Sequence, residues 1–377
     1  MADSAGKRVQ TGARWLVALL GTLVIGTTML SLPANTPVWW LKVLDFPRVQ
    51  TLLLALACLL PLPWLVPRWN VGAGLLALGL LVAALLQGYI VAPFSPMVPV
   101  AVPQATAAEA AQAGSIVRIF EANVLQSNRN APALLHLIRQ ARPDVVLLEE
   151  TNDWWARATD SLRRAYPYAM RRPLPDTYGM LLYSKFPLAD TVTRFLQHPN
   201  VPSFYATVRL PAGQRFLLCA VHPVPPVPSE HPYNRHEREA ELAKVGCLLQ
   251  PQSKAGGLPT LVVGDLNDVS WAHTTRLFEA STHLHSVRVG RGLYATFDAQ
   301  LPFLRWPLDH VFATRQFRVV SLRRLPAFGS DHFPFYCELA LPQLKPASAP
   351  AQFNPAPPPN AARVASPVLA GRIHANR

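Results

Sequence analysis

The chain has 377 residues, half of them hydrophobic and only 15% charged, and its 35 lysines and arginines against 22 acids leave +13 at neutral pH. The pI is near 10.1 and the mean hydropathy +0.16. These figures exclude a disordered chain, a collagen and a disulfide-rich miniprotein, and they allow a folded domain on the order of 200 residues plus a membrane segment. Cysteine is sparse: Cys58, Cys219, Cys247 and Cys337 show no CxxC spacing, so neither a zinc site nor a redox pair is read from them.

Three apolar runs come first, Trp15 to Leu32, Val49 to Val66 and Val71 to Ala92. A bilayer core takes about 20 apolar residues per helix, so each run can cross it. The first ends in Leu-Pro-Ala-Asn without a small-x-small cleavage site, so it reads as a retained anchor rather than a signal peptide. Pro61 and Pro63 interrupt the second run, which leaves a re-entrant hairpin as the alternative to a third span. Trp39, Trp40, Trp64 and Trp69 flank the runs as interfacial residues do. Lys7, Arg8 and Arg14 precede the first run, against Lys42, Arg48 and Arg68 in the two loops. That bias puts the N-terminus in the cytoplasm, and three spans then put everything after residue 93 on the extracytoplasmic side.

Four regions follow from composition: a membrane region over 1–92, a linker over 93–114 rich in Pro, Ala and Val, a folded domain over 115–341, and a Pro/Ala-rich tail over 342–377 read as disordered. Residues 1–114 carry six bases (Lys7, Arg8, Arg14, Lys42, Arg48, Arg68) and three acids (Asp3, Asp45, Glu109). The tail carries Lys345, Arg363, Arg372 and Arg377 and no acid, which leaves +6 on the folded domain. Within that domain strands are predicted at 116–124, 144–148, 179–183, 204–210, 216–221, 260–263, 310–313, 319–322 and 333–340. Helices are predicted after an Asn130 N-cap and over 234–249. Short strands with interspersed helices suggest two packed sheets with helices outside.

Polar residues interrupt this pattern at strand ends, where a rigid scaffold can aim them into one cleft. Asn123 follows the first strand, Glu150 the second and His222 a third. Gly264-Asp265-Leu266-Asn267 ends a fourth, Asp309 begins another, and Ser330-Asp331-His332 precedes the last. One such residue would be a cap or a turn; an ordered series is not explained that way. Glu150, Asp331 and Asn123 are hard oxygen donors that suit Mg²⁺ or Mn²⁺ rather than zinc. Asp309 and His332 can form a carboxylate–imidazole pair. Asp265 can orient or deprotonate a water, Asn267 can donate to a phosphate, and His222 can donate to a non-bridging oxygen.

Asn123, the Pro143-Asp-Val-Val-Leu-Leu-Glu-Glu150 block, Gly179 with Ser184 and Pro187, His222-Pro, Gly264-Asp-Leu-Asn267, Asp309-His and Ser330-Asp-His332 occur in this order. The series resembles the endonuclease/exonuclease/phosphatase superfamily, which includes deoxyribonucleases, sphingomyelinases and inositol polyphosphate phosphatases. The resemblance covers about residues 116–340, and as a whole chain it is similar to a membrane-anchored bacterial branch. It implies a four-layered α/β sandwich of two mainly antiparallel sheets flanked by helices, here preceded by about three transmembrane helices. It also implies divalent-metal-dependent hydrolysis of phosphate esters. By motif match Glu150 is the main metal ligand with Asn123 and Asp331 near the ion. Asp265 and Asn267 orient the nucleophile and bind phosphate, Asp309 pairs with His332, and either Asp265 or His332 removes the water proton.

Two positions depart from the pattern. Leu125 stands where abasic-site nucleases carry an aspartate, and Glu149 stands where glutamine is usual; Glu149 is expected to face solvent or pair with an arginine. Three functions are compared: a phosphodiesterase or nuclease, an enzyme acting on lipid headgroups at its own bilayer, and a catalytically silent binding domain. The complete residue set argues against the third. The +6 of the domain puts nucleic acid ahead of lipid, whereas tethering to a bilayer favours lipid.

Overall fold

Long apolar helices and short apolar strands come from different stretches of the chain, and they build separate bodies. The computed structural model describes residues 2–33, 38–225, 237–253 and 257–343, which fall into two units, Met1–Val98 and Pro99–Arg377.

The first unit is helical: α1 (Ala2–Leu30), α2 (Trp39–Val43), α3 (Arg48–Leu59), α4 (Leu62–Leu65) and α5 (Val71–Val91). Pro61 has no N–H to donate, so the second apolar run stops at Leu59 and restarts at Leu62. Asn70 caps α5 by accepting Ala73 N at 2.9 Å. By length and composition Arg8–Leu30, Arg48–Leu65 and Val71–Phe94 can each cross a membrane. Val24, Ala55, Cys58, Leu80 and Ala83 pack inside the unit, while Leu19, Leu23, Leu53, Leu75 and Leu85 face outward. Buried Arg48 is fully engaged: it pairs with Asp45 and donates to Ser31 O at 2.9 Å and Gln87 Oε1 at 3.1 Å.

The second unit runs α6 (Ala107–Ala111), β1 (Ile116–Asn123), α7 (Ala131–Ala141), β2 (Val145–Glu149), α8 (Asp153–Ala158), β3 (Tyr168–Arg172), β4 (Met180–Ser184), β5 (Leu188–Arg194), β6 (Ser203–Arg209), β7 (Arg215–Val221), α9 (Glu237–Ser253), β8 (Thr260–Asp265), α10 (His273–Thr282), β9 (His285–Ser286), β10 (Asp309–Ala313), β11 (Arg318–Arg324) and β12 (Phe335–Ala340). Two six-stranded sheets result, in the orders β11-β12-β1-β2-β4-β3 and β5-β6-β7-β8-β10-β9. Val117, Ile119, Val145, Leu147 and Leu182 of the first meet Phe204, Phe216, Leu218, Leu261 and Val263 of the second in the central core. The alternate residues of the same strands pack outward, Phe120, Val146 and Leu148 with α7 and α8, and Tyr205, Leu217 and Val262 with α9 and α10. Strands buried on both faces read as continuous apolar runs, and the result is the expected four-layered α/β sandwich.

The structure adds elements that apolar patterning misses. β3, β5 and β9 lie at or near sheet edges, where polar residues are tolerated and the alternation is weak. Arg171 and Arg172 belong to β3, and Arg171 pairs with Asp160 at 3.1 Å. The stretch read as a linker is partly built into the second unit. Val102 is fully buried, Ala105 N donates to Val319 O and Val319 N to Pro103 O, both at 2.8 Å, and Thr106 and Glu109 form a capping box on α6. The N-cap role of Asn130 holds, with Ala133 N donating to its side chain. The tail from residue 344, and His231 and His236, lie outside the described residues.

Candidate active site

Strand direction decides where the polar residues meet. β1 and β2 are parallel, and so are β7 and β8, so within each sheet their C-terminal ends share one edge. β10 runs antiparallel to β8 and therefore begins at that edge, with Asp309 opposite Asp265. β12 runs antiparallel to β1, so the Ser330–His332 segment that leads into it arrives beside Asn123; Ser330 Oγ donates to Asn123 O at 2.8 Å. This explains why separate motifs, each at a strand end, become one cluster.

Local backbone geometry then aims the side chains. Glu150 follows β2 with φ +56° and Asn267 follows β8 with φ +52°, left-handed values that non-glycine residues adopt at a cost and that concentrate at functional sites. Gly264, at φ +146°, is required by contact as well: a β-carbon there would lie 2.0 Å from Val221 O and 2.7 Å from Glu149 Oε1.

Asp265 Oδ2 is the atom on which the site converges. Asn123 Nδ2 donates to it at 3.1 Å and to Glu150 Oε1 at 2.9 Å. His332 Nε2 lies 3.5 Å and His222 Nε2 3.9 Å from the same oxygen. Asp265 Oδ1 accepts Asn267 N at 2.8 Å, and Asn267 Nδ2 reaches both Pro223 O at 3.0 Å and His222 Nε2 at 3.2 Å. The opposite side of the His332 ring is held by Asp309, 2.9 Å from Nδ1 to Oδ2. Glu150 Oε2 accepts Gln126 N at 3.2 Å. Asp331 joins through Ser330 Oγ, 3.3 Å from its Oδ1.

Burial opposes charge on His332, but the carboxylates of Asp309 and Asp265 outweigh it and hold the imidazole well above its usual pKa. Burial pushes Asp309 up, and the His332 charge and hydrogen bond overcome that and hold it below the usual carboxylate range. Burial lowers His222 and raises Glu150, where the hydrogen bond from Asn123 works against the rise.

Three charged residues stand behind this layer; Glu121 and Arg288 went unread in the sequence, and the expectation for Glu149 is corrected. Glu149 is fully buried, not solvent-facing, and among the described residues it forms no ion pair with an arginine. Both of its oxygens accept Asp265 N, each at 3.1 Å, because the residue before Glu150 points into the space between the sheets. Glu121 is also fully buried, and among the described residues neither of its oxygens receives an N–H or O–H. Glu121, Glu149 and Asp309 offer oxygens within 4.8 Å of one another. Burial, then Asp309 and Glu149, push the Glu121 carboxyl well above its usual pKa. Arg288 supplies a buried positive charge: its guanidinium stacks 4.4 Å from the Phe335 ring centroid, and burial pulls its pKa down to about 10 against the pull of Asp309 and Glu121. The signal was a charge inside an apolar stretch, Phe120-Glu121-Ala122 in β1 and Val287-Arg288-Val289 in the turn after β9.

The sequence pattern described as the Endonuclease/Exonuclease/phosphatase family matches residues 120–332, more than half of the chain. The chain belongs to this family. The human Nocturnin catalytic domain with bound sulfate has the same fold, with TM-score 0.50 and 17% identity over 60% of this chain and 95% of that one. An endonuclease/exonuclease/phosphatase from Beutenbergia cavernae DSM 12333 aligns with TM-score 0.48 and 19% identity, covering 60% of this chain and 72% of that one. For humanized D. rerio TDP2 the values are 0.49 and 16%, with 60% and 99% covered. No curated protein matches the chain.

Members of the endonuclease/exonuclease/phosphatase family are metal-dependent hydrolases of phosphate esters, and this chain is an enzyme of that class. Its residues fit a divalent cation. Glu150 is a hard donor whose charge is disfavoured by burial, a penalty an adjacent cation relieves, and the amide of Asn123 fixes its orientation. A second group, Asp265, Asp309 and His332, places ligand atoms within 4.8 Å of one another, but Asp309 and His332 are there engaged with each other.

Proposed function

We propose that the second unit is a divalent-metal-dependent phosphodiesterase, with Glu150, Asn123 and Asp331 at the ion and Asp265, Asn267, His222, Asp309 and His332 performing the hydrolysis. The observation that supports it best is the convergence on Asp265 Oδ2 of Asn123, His332 and His222 from three different strand ends. A divalent ion held there, Mg²⁺ or Mn²⁺ on the donor set, would supply Lewis acidity toward a phosphoryl oxygen. Asp265 Oδ2 takes the proton of the attacking water. His332 Nε2, 3.5 Å away and anchored by Asp309 through Nδ1, favours the charged form of that carboxylate against the burial that raises its pKa. Asn267 Nδ2 donates to His222 Nε2 at 3.2 Å in the free site; a phosphate that displaces this contact would take a hydrogen bond from Asn267 Nδ2 and one from the Nε2–H form of His222 as charge builds on its non-bridging oxygens.

The three apolar helices serve as membrane spans, with the N-terminus cytoplasmic and the catalytic unit extracytoplasmic. The basic flank of Lys7, Arg8 and Arg14 supports this orientation. The substrate is a phosphodiester. The +6 of residues 115–341 suits a nucleic acid, whereas an exposed apolar tip beside the site favours a lipid headgroup. Leu125 leaves no carboxylate where abasic-site enzymes carry one. The full chain assayed on plasmid DNA, RNA and a phospholipid panel, each with Mg²⁺, Mn²⁺ and excess EDTA, tests the assignment. Metal-dependent cleavage of one class is expected; cleavage of none, or cleavage indifferent to EDTA, overturns it.

A further inference from the structure

Residues 297–306, between β9 and β10, fold back on themselves. Phe297 N donates to Trp306 O at 3.0 Å, Trp306 N donates back to Phe297 O, and Asp298 N donates to Leu304 O at 3.2 Å. The Phe297 and Trp306 rings stack with centroids 6.1 Å apart. This braced hairpin carries its apolar side chains outward: Phe303 is 86% exposed, Leu301 47% and Leu304 44%, with Pro302 between them also exposed. Elsewhere among the described residues of Pro99–Arg377, the large exposed apolar side chains Val100, Tyr168, Phe195 and Leu277 stand singly. Isolated exposed apolar residues are ordinary; a contiguous tip marks a contact surface.

Two arginines stand behind the tip. The Arg305 guanidinium lies 5.0 Å and that of Arg324 4.3 Å from the centroid of the same ring, Phe333. Their hydrogen bonds go to carbonyls, Arg305 Nε to Asp298 O at 3.3 Å and Arg324 Nη1 to Ala295 O at 2.8 Å. The side chain of Asp298 is turned to Gln300 N at 2.7 Å. Two cations converging on one ring, with backbone carbonyls for partners, call for an anion. An apolar tip with guanidiniums at its base matches a lipid–water interface, acyl chains below and phosphates at the level of the arginines.

The hairpin is fastened to the catalytic segment. Ala299 N donates to Asp331 O at 2.6 Å and Phe333 N to Thr296 O at 2.8 Å, and the Phe297 ring lies 4.9 Å from that of His332. A surface met by the tip is therefore met beside Asp331 and His332. The same chain carries three helices able to cross a membrane, which makes a bilayer the surface at hand. We propose that the 297–306 hairpin docks into an anionic bilayer and presents lipid-headgroup phosphodiesters to the site, the second part resting on the phosphodiesterase reading above.

The test uses the full chain reconstituted in phosphatidylcholine vesicles with and without phosphatidylglycerol. A fluorophore on Phe303→Cys, corrected for labelling of the unsubstituted chain, should be quenched by acyl-brominated lipid at least twice as strongly as one on Leu277→Cys. Arg305→Gln with Arg324→Gln should reduce that quenching in the phosphatidylglycerol vesicles. Equal quenching at 303 and 277 overturns docking, and this arm does not depend on activity. The triple variant Leu301→Ser, Phe303→Ser, Leu304→Ser should lose at least tenfold in hydrolysis of vesicle phospholipid while hydrolysis of soluble bis(p-nitrophenyl) phosphate changes less than twofold. An equal loss on both substrates, or a selective loss on single-stranded oligonucleotides, overturns the lipid assignment; the latter makes the tip a base-stacking platform. If the unsubstituted chain hydrolyses no diester, the phosphodiesterase reading fails while the quenching result stands.

Discussion

Both carboxylate oxygens of Glu149 accept the backbone N–H of Asp265, each at 3.1 Å. Glu149 ends β2 of one sheet and Asp265 ends β8 of the other, so this contact ties the sheets together directly behind the site. Glu149→Gln keeps an acceptor for that N–H and is expected to stay folded with turnover within about threefold of the parent. Glu149→Ala leaves a buried N–H without a partner, at a cost of about 1–3 kcal/mol. Thermal unfolding and turnover of both variants check this; equal stability of the two would show that the contact holds nothing.

Glu150→Gln should abolish turnover, by on the order of 100-fold or more, without loss of fold. Asn123 Nδ2 donates to Glu150 Oε1, and the amide of a glutamine offers an oxygen but no charge to a cation. Full activity of this variant, or of the parent in excess EDTA, would falsify the metal assignment.

Asp309 and His332 should act as one unit, since the Nδ1–Oδ2 contact of 2.9 Å orients the ring that faces Asp265. Asp309→Asn and His332→Asn are expected to lose similar turnover, with the double variant close to the worse single one. Losses that add in log rate would mean that the two act separately.

Glu279 offers a pH test away from the site. Burial raises its carboxyl to about 7 in the folded chain, although Ser286 N donates to it. The folded state therefore holds a proton that the unfolded state has released above its ordinary value of 4.5, and stability falls as pH rises from there to about 7. Glu279→Gln, neutral throughout, should match the parent near pH 4.5 and exceed it at pH 8 by up to about 3 kcal/mol. Unfolding curves at the two pH values decide it; a pH-independent difference would contradict the buried-acid account.

Reporter fusions after Gly114 and after Arg377 should be active only outside the cytoplasm, on the basis of the three apolar helices and the basic N-terminal flank. Cytoplasmic activity at either point would reverse the topology.

The family and the two-sheet sandwich were legible in the sequence. The apolar strands carry them in continuous runs, and Asn123, Glu150, His222, Asp265, Asp309 and His332 interrupt those runs at their ends, where a short motif survives translation along the chain. The three apolar runs were legible for the same reason, because length and composition alone determine whether a helix can cross a bilayer. Tertiary structure decided the rest. Glu121, Glu149 and Arg288 take their roles from the space between two sheets, and no local pattern reports which side chains will share a low-dielectric interior. Edge strands β3 and β5 escaped because exposed edges need no apolar alternation. The 297–306 hairpin shows only as a few apolar residues in a turn; that Leu301, Phe303 and Leu304 stand outside while Ala299 grips Asp331 depends on hydrogen bonds to a segment some thirty residues on. Periodicity encodes which residues are buried in an element; which elements then face each other depends on packing between residues far apart in the chain.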